Sequence, residues 1–492
     1  MAYKTPRNRK EVMLLPPSLS DYIASDNPVL AIDAYVESLD LEALGFIKPK
    51  LPDAAQSGQP AFHPRELLKL YIYGYLNQVR SSRRLEREAS RNLELMWLMG
   101  ELAPSYKTIA DFRKHFANGL KQVNKDFMLL CKSLSLFGGE VVAIDGSFFK
   151  ANASKQSIKL EKQLVSELAR IAARIDEFHT LLAQNDQAEN KADVGSLHKD
   201  PDIQEKLTKL IEKKAEHDAM LASLKDSGEK QFSKTDPDAR RLNKNTGSIA
   251  GYNIQSVVDE KHKLIAYSEV GNKNDLGQLA DLADKAKTEL EVEKLKVLTD
   301  MGYYKQSDLQ HCEESGIDAY VPIPDKNKVI AEQGRSTRID FHFNIENDNY
   351  TCPSGKVLVH QSKSTKNGVL RHIYGSKASI CKDCPLKVNC LPKNSKIRKI
   401  YRTQFESTVD RHRQKMNDYP DVMKKRSSLV EHPFGTIKTR AGHHHFLVRG
   451  FAKVSGEWGL MALCYNFTRV LNIIGMQKFI QYCQERGKLQ PI

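Results

Sequence analysis

The sequence has no apolar run near the roughly 20 residues that a membrane-spanning helix needs. Its mean hydropathy is −0.51, and 28% of its residues are charged. The first ten residues carry four Lys/Arg, but no apolar segment follows them, so the pattern of a secretory signal is missing. These absences exclude a membrane-spanning protein and predict one that stays in the cytosol.

Cysteines spaced as a disulfide framework are also missing. The chain has 8 cysteines in 492 residues, and Cys131, Cys312, Cys464 and Cys483 are scattered singly through segments of helical or strand pattern. We predict that these four are reduced, buried thiols. The length excludes a small stapled scaffold and predicts two or three units with at least one sizeable core.

Positive charge, by contrast, is abundant and concentrated. The chain has 75 Lys/Arg against 61 Asp/Glu, a formal net charge of +14. Residues 381–460 alone hold 17 Lys/Arg against 7 Asp/Glu. This stretch favours a polyanionic partner, with nucleic acid first, over a merely solvated basic surface.

The first 135 residues have helical periodicity. Pro64 suits the first position of a helix in which apolar residues recur at i, i+3, i+4 and i+7. In a later helix Phe112 and Phe116 share a face, which leaves Arg113 for solvent. We predict a small all-helical domain over 1–135.

Beyond residue 136 short apolar strands alternate with helices. Residues 141–146 are too short for a helix and predict a buried strand that ends at Asp145 and Gly146. Residues 252–259 and 264–270 predict a β-hairpin. The further predictions are a helix at 275–290, a strand at 295–300, a helix at 306–314 and a strand at 319–322.

A long insertion separates the first strand from the hairpin. Its apolar residues follow heptad spacing, which predicts an antiparallel helical hairpin over 155–230. The seam consists of Leu160, Leu164, Leu168, Ile171, Ile175, Phe178 and Leu182, followed by Ile203, Leu207, Leu210, Leu221 and Leu224. The hairpin could be a rigid strut, a dimerisation element or a contact to DNA ends.

Two aspartates, Asp145 and Asp300, each follow an apolar strand, and Glu431 lies in the basic stretch. Carboxylates at strand ends suit Mg²⁺, and three acids could hold the two ions of a phosphoryl-transfer site. Singly, such an Asp is more often a turn former or helix cap, and such a Glu is more often a salt-bridge partner. Asp259, Asp275 and Glu457 compete for the same role.

These residues together resemble a DDE-class transposase of a bacterial insertion sequence, over roughly residues 27–474. The likeness rests on nine short motifs at 62–64, 80–83, 108–113, 143–146, 251–255, 300–304, 431–438, 449–450 and 465–467. The resemblance implies an RNase H-like α/β mixed-sheet core at 136–325 plus 400–475, after the all-α amino-terminal domain. The same resemblance implies a small Cys-rich insertion at 340–398 and a carboxy-terminal tail at 476–492.

The resemblance also implies a catalytic triad of Asp145, Asp300 and Glu431 that holds two Mg²⁺ or Mn²⁺ ions. A metal-activated water would cut the element's end, and the freed 3′-hydroxyl would attack target DNA. The implied partner is double-stranded DNA bound by a homodimer or larger assembly at the bacterial nucleoid. A nuclease without strand transfer and a domesticated, non-catalytic DNA-binding protein are the alternatives.

Related transposases carry a Tyr, an Arg and a Lys at fixed offsets from the catalytic Glu. Lys438, seven positions after Glu431, matches this pattern. Arg426 lies five positions before rather than four, and Lys424 stands where the Tyr would be. The candidate DNA-binding residues are Lys438, Arg426, Arg440, Arg449, Arg83 and Arg113.

Four further cysteines, Cys352, Cys381, Cys384 and Cys390, have the spacing C-x28-C-x2-C-x5-C. A structural zinc site is the leading interpretation, because four thiolates bind zinc tetrahedrally. Unligated thiols and a redox function are the alternatives. Zinc would hold together a basic insertion that we expect to be poor in strands.

Overall fold

The structure, a computed structural model, describes residues 18–46, 60–189, 201–244, 247–325, 327–392 and 394–488. The basic residues at 1–10 and part of the polar stretch at 184–199 lie outside it. The α-helices are α1 Pro28–Glu37, α2 Pro64–Leu76, α3 Ser82–Ala89, α4 Leu93–Leu98, α5 Tyr106–His115, α6 Ala117–Ser133, α7 Glu161–Glu189, α8 Pro201–Ser227, α9 Leu279–Leu290, α10 Gln306–Glu314, α11 Lys328–Glu332, α12 Ala378–Lys382, α13 Lys387–Cys390, α14 Glu406–Asp418, α15 Val422–Gly435, α16 Phe451–Ile474 and α17 Met476–Lys488.

Within these described ranges, the strands belong to three sheets, one mixed and two antiparallel. They are β1 Val141–Lys150, β2 Ile158–Leu160, β3 Gln231–Ser233, β4 Arg240–Lys244, β5 Gly247–Asp259, β6 Ile265–Gly271, β7 Leu295–Leu298, β8 Ile317–Tyr320, β9 His342–Asn344, β10 Asn349–Thr351, β11 Val357–Lys366, β12 Val369–Gly375 and β13 Lys399–Thr403.

The amino-terminal helices α1–α6 share one hydrophobic core with α16 and α17. Phe127 of α6 packs against Phe467 and Phe479 of the two carboxy-terminal helices. A Cβ atom on Gly456 would lie 2.4 Å from the carbonyl oxygen of Ala117, so only glycine allows α16 this close to α6. The all-helical prediction for this region agrees with the structure, but the region has no core of its own. The predicted tail after 475 is wrong for residues 476–488, which form α17.

The mixed sheet has β1 at its centre. One edge of β1 pairs antiparallel with β5, and the other pairs parallel with β7, which is followed by β8. The strands β4 and β6 pair with successive parts of β5. The predicted hairpin and the α/β class are confirmed. However, β1 continues four residues past the predicted end, because it stays paired with β5 as far as Lys150 opposite Gly251.

The inserted hairpin consists of α7 and α8, and the β2–β3 pair closes its base. Leu164, Met220 and Leu224 form a small buried cluster between the two helices. The heptad prediction is thus confirmed near the base. The side chains of Leu182 and Ile203 lie outside the described part.

The insertion with the four cysteines contains a five-stranded antiparallel sheet in the order β13-β12-β11-β10-β9. The prediction of a strand-poor segment is therefore wrong, and the sheet extends beyond 398 to Thr403. Its small core consists of Phe341, Tyr350, Leu358, Tyr374 and Ile400. Across the described residues, every helix is too short or too polar to cross a bilayer.

Candidate active site

Asp145 lies inside β1 rather than at its end, directly opposite Ser256 of β5. Its side chain is only 25% exposed, and its Oδ1 lies 3.7 Å from Nη1 of Arg426. Burial raises the pKa of the Asp145 carboxyl to about 7; Arg426 opposes this rise, whereas the charges of Asp300 and Asp275 add to it. The carboxylate therefore sits where negative charge is already crowded.

Asp300 follows β7, the parallel neighbour of β1. Ala143 pairs with Leu298 in the register of the two strands, and both aspartates come two residues later. The Asp300 side chain accepts a hydrogen bond of 2.8 Å from the Gly302 N–H and caps the 3-10 turn Met301–Tyr303. Parallel pairing thus brings together two acids that lie far apart in the sequence.

Asp275 is a third acid at this site, which the sequence marked only as a competitor. Its Oδ1 accepts hydrogen bonds of 2.8 Å from the side-chain amides of Asn253 and Gln255. The Tyr303 hydroxyl donates to Oε1 of Gln255 and completes the chain of contacts. Burial, then the charges of Asp275, Asp145 and Asp300, raise the pKa of Tyr303 well above its ordinary value.

The other two competing acids have structural roles. Asp259 is buried and accepts hydrogen bonds from the N–H groups of Gly138, Gly139 and Lys261. Glu457 is also buried; it accepts from the Tyr75 hydroxyl and from the backbone N–H groups of Leu447 and Val448. Asp259 and Glu457 thus stabilise loops, and of the three competing acids Asp275 is the one beside Asp300.

Glu431 is exposed on α15. This helix packs on the sheet because Leu429 and Val430 contact Ala143 and Leu298 in one buried cluster. In the part of the chain that the structure describes, no three His, Cys, Asp or Glu side chains are grouped closely enough to hold a metal ion. The triad of Asp145, Asp300 and Glu431 therefore stays a prediction.

Two of the predicted cations flank β1. The Lys438 ammonium donates to Oγ of Ser147 at 2.5 Å and to the Phe148 carbonyl at 3.0 Å. Nε and Nη1 of Arg426 are buried and make no hydrogen bond within the described residues. Both cations therefore contact the strand that carries Asp145, Arg426 at the Asp145 carboxylate and Lys438 at Ser147 and Phe148.

The remaining predicted DNA contacts divide into exposed and buried residues. Arg83, Arg440 and Arg449 are exposed. Arg113 is only 8% exposed, so the expectation that it stays in water is wrong. Its guanidinium stacks on Tyr71, and Tyr75, Tyr71 and Glu457 raise its pKa although burial opposes this rise. A role for Arg113 inside the core replaces the predicted surface role.

The four clustered cysteines are free thiols, each partly exposed. Burial raises the pKa of Cys390; Arg398 opposes this rise, and the charges of Cys352, Cys381 and Cys384 add to it. The Lys356 N–H donates to Sγ of Cys352 at 3.3 Å in a turn where Gly355 has a φ of +73°.

Comparisons with known proteins give a family. A family model described as a transposase DDE domain matches residues 215–467, and one described as a transposase domain (DUF772) matches residues 17–115. No curated protein matches. A piggyBac transposase in a synaptic complex with hairpin DNA is 8% identical, with a TM-score of 0.33 over 94% of this chain and 81% of that one. Since the first model spans more than half of the sequence, the chain belongs to the DDE transposase family and is a DNA transposase.

Proposed function

We propose that the chain cleaves DNA at the ends of an insertion sequence and joins the freed 3′ ends to target DNA. A divalent-cation centre of Asp145, Asp300 and Glu431 would carry both steps. The observation that carries this proposal is the register of β1 and β7, since Asp145 and Asp300 each follow the paired residues Ala143 and Leu298 by two positions. The crowded charge around Asp145 is what a bound cation would neutralise.

The topology supports an RNase H-like core. A run of strands in the order β6-β5-β1-β7-β8, with β1 antiparallel to β5 and parallel to β7, gives the mixed sheet that such a core requires. The helix α15 covers the same part of the sheet. Glu431 would complete the centre from that helix.

The residues present fit Mg²⁺ or Mn²⁺, because all of the proposed donors are carboxylate oxygens. A bound pair of ions supplies an activated water and stabilises the attacking and leaving oxygens of an in-line displacement at phosphorus. Arg426 would shift from Asp145 to a phosphate oxygen, since two of its N–H donors lack hydrogen-bond partners.

Lys438 would hold the scissile strand along β1, where Ser147 and Phe148 already orient its ammonium. Exposed Arg440, Arg449 and Arg83 would contact the phosphates of double-stranded DNA. We also propose that a homodimer or larger assembly forms on paired element ends, which light scattering with and without end DNA would measure.

The test is a cleavage and joining assay on DNA that carries the element's ends, with Mg²⁺. Asp145→Asn and Asp300→Asn should each abolish both products. Asp281→Asn, which removes an exposed carboxylate paired with Lys285, is the matched control and should leave both products unchanged. Cleavage without joining would favour the nuclease alternative, and cleavage by Asp145→Asn would contradict the proposed centre.

We further propose that Cys352, Cys381, Cys384 and Cys390 hold a structural zinc ion. The influence of the other three thiols on the pKa of Cys390 and the small core beside Cys352 and Cys390 support it, since a core of this size benefits from a metal. Purified protein should contain one zinc per chain by mass spectrometry. Cys384→Ala should lose the metal, whereas Cys312→Ala should retain it.

A further inference from the structure

We propose that Asp275 is a fourth carboxylate of the divalent-cation centre, between Asp145 and Asp300. This inference rests on the proposed function, because it adds a residue to the same centre. It would mean that the sheet side of the site supplies three of the four acids before the helix α15 contributes Glu431.

Two glycines show where the Asp275 carboxylate lies. A Cβ atom on Gly146, the residue after Asp145, would lie 2.1 Å from Oδ1 of Asp275. A Cβ atom on Gly302, two residues after Asp300, would lie 3.0 Å from Oδ1 of Asp300 and 3.5 Å from Oδ2 of Asp275. The carboxylate of Asp275 therefore lies against the backbone at Gly146 with Oδ1 and beside the Asp300 side chain with Oδ2.

Side chains of β5 orient this carboxylate. Asn253 and Gln255 are two positions apart on β5, so their side chains point to the same face of the sheet. Gln255 lies directly opposite Gly146, and both amides donate to Oδ1 of Asp275. Within the described residues, Oδ2 of Asp275 accepts no hydrogen bond, and it lies on the side of Gly302 and Asp300. The arrangement holds one oxygen by hydrogen bonds and directs the other toward the centre.

An unpartnered oxygen at the same place points to a missing ligand. Asn253 is fully buried, and its Oδ1 makes no hydrogen bond within the described residues. This oxygen would lie 3.0 Å from a Cβ atom on Gly146, beside the Asp275 carboxylate. A buried acceptor without a donor is costly, and a hydrated cation, whose waters are donors, would satisfy it.

A purely structural role for Asp275 is the competing explanation, because it also links β5 to the loop before α9. Asp275→Asn separates the two, since asparagine keeps an oxygen for the amides of Asn253 and Gln255 but loses the charge. The full chain would be titrated with Mn²⁺ alone, and free Mn²⁺ would be followed by electron paramagnetic resonance. Thermal melting of each variant would check the fold.

We expect Asp275→Asn to weaken Mn²⁺ binding by about tenfold or more, the range found for partners of metal ligands. Asp281→Asn should stay within about twofold of the wild type, as surface changes do. Should Asp275→Asn bind Mn²⁺ normally while Asp145→Asn and Asp300→Asn do not, Asp275 is structural and the proposed centre stands. Normal binding by all three variants would instead overturn the centre itself.

A second variant covers the case in which Asp275→Asn fails to fold. Gly146→Ala would push the Asp275 carboxylate away without removing its charge, so Mn²⁺ affinity should fall as it does in Asp275→Asn. Gly271→Ala is the matched control in the same sheet, because its added Cβ would lie 3.4 Å from the nearest atom, the Asn253 carbonyl oxygen. Equal Mn²⁺ affinity in Gly146→Ala and Gly271→Ala would overturn the inference.

Discussion

The sheet side and the helix side of the candidate active site are held in different ways. On the sheet side, strand pairing places Asp145, and hydrogen bonds fix Asp275 and Asp300. On the helix side, Glu431 is exposed, and its position depends on how α15 packs on the sheet. Strand pairing and hydrogen bonds thus fix the sheet side, whereas the helix side relies on a few apolar anchoring contacts.

The largest expected effect tests whether the helix side supplies a catalytic acid. Glu431→Gln should reduce end cleavage about a thousandfold or more, as loss of an essential catalytic group does. The rate would be measured on end DNA with Mg²⁺, and Ser428→Ala on the same helix is the control. If Glu431→Gln cleaves within about tenfold of the wild type, the sheet side alone forms the centre.

The next effect concerns the contact that joins the two sides. Lys438→Met removes the hydrogen bonds to Ser147 and Phe148, so α15 should shift against β1 and end cleavage should fall about tenfold to a hundredfold. Lys424→Met, which changes an 86% exposed lysine of α15, should have little effect. If Lys438 contacts a phosphate, Lys438→Met should also lower the salt dependence of DNA binding, whereas loss of a purely structural contact would leave the salt dependence unchanged.

A smaller effect should appear in the pH dependence of stability. His443 follows the helix side in a loop that packs on Tyr75, and burial, aided by Arg80, lowers its pKa to about 3. In the unfolded chain His443 takes up a proton near pH 6.5, whereas in the folded chain it stays neutral down to a much lower pH. The free energy of unfolding therefore decreases as the pH drops below about 6.5.

We expect this loss to be about 1 to 2 kcal/mol between pH 6.5 and pH 5. Urea unfolding at both values would measure it. His443→Phe should remove that part of the loss, whereas His444→Gln, at an exposed position, should retain it. An unchanged loss in His443→Phe would show that other groups set the acid sensitivity.

The smallest expected effect concerns the surface beyond the helix side. Arg440→Gln should weaken binding to DNA about twofold to fivefold and lower the slope of log affinity against log salt by about one. Fluorescence anisotropy at several salt concentrations would measure both quantities. Lys285→Gln is the control, because Glu269 and Asp281 already pair with its charge. Equal slopes in both variants would exclude a phosphate contact by Arg440.

Local patterns predicted much of the fold. The helix at Gln306–Glu314 has the predicted bounds, and the β5–β6 hairpin and the α7–α8 hairpin occur where strand and heptad patterns indicated. Such patterns depend on neighbours within a few turns or along one strand. The prediction that Arg113 is exposed to solvent was wrong, because its neighbours in the folded chain include Tyr71 and Glu457, which are distant in the sequence.

Three things were determined by the sequence itself: the mixture of helices and strands, the basic stretch, and the set of acids that could form a centre. Only the tertiary structure decided among those acids. It assigned Asp259 and Glu457 to loop stabilisation and brought Asp275 beside Asp300, because strand register and amide hydrogen bonds join residues that no local pattern connects. A carboxylate is identical in the sequence wherever it occurs, and its burial and neighbours, which set its chemistry, exist only after the chain has folded.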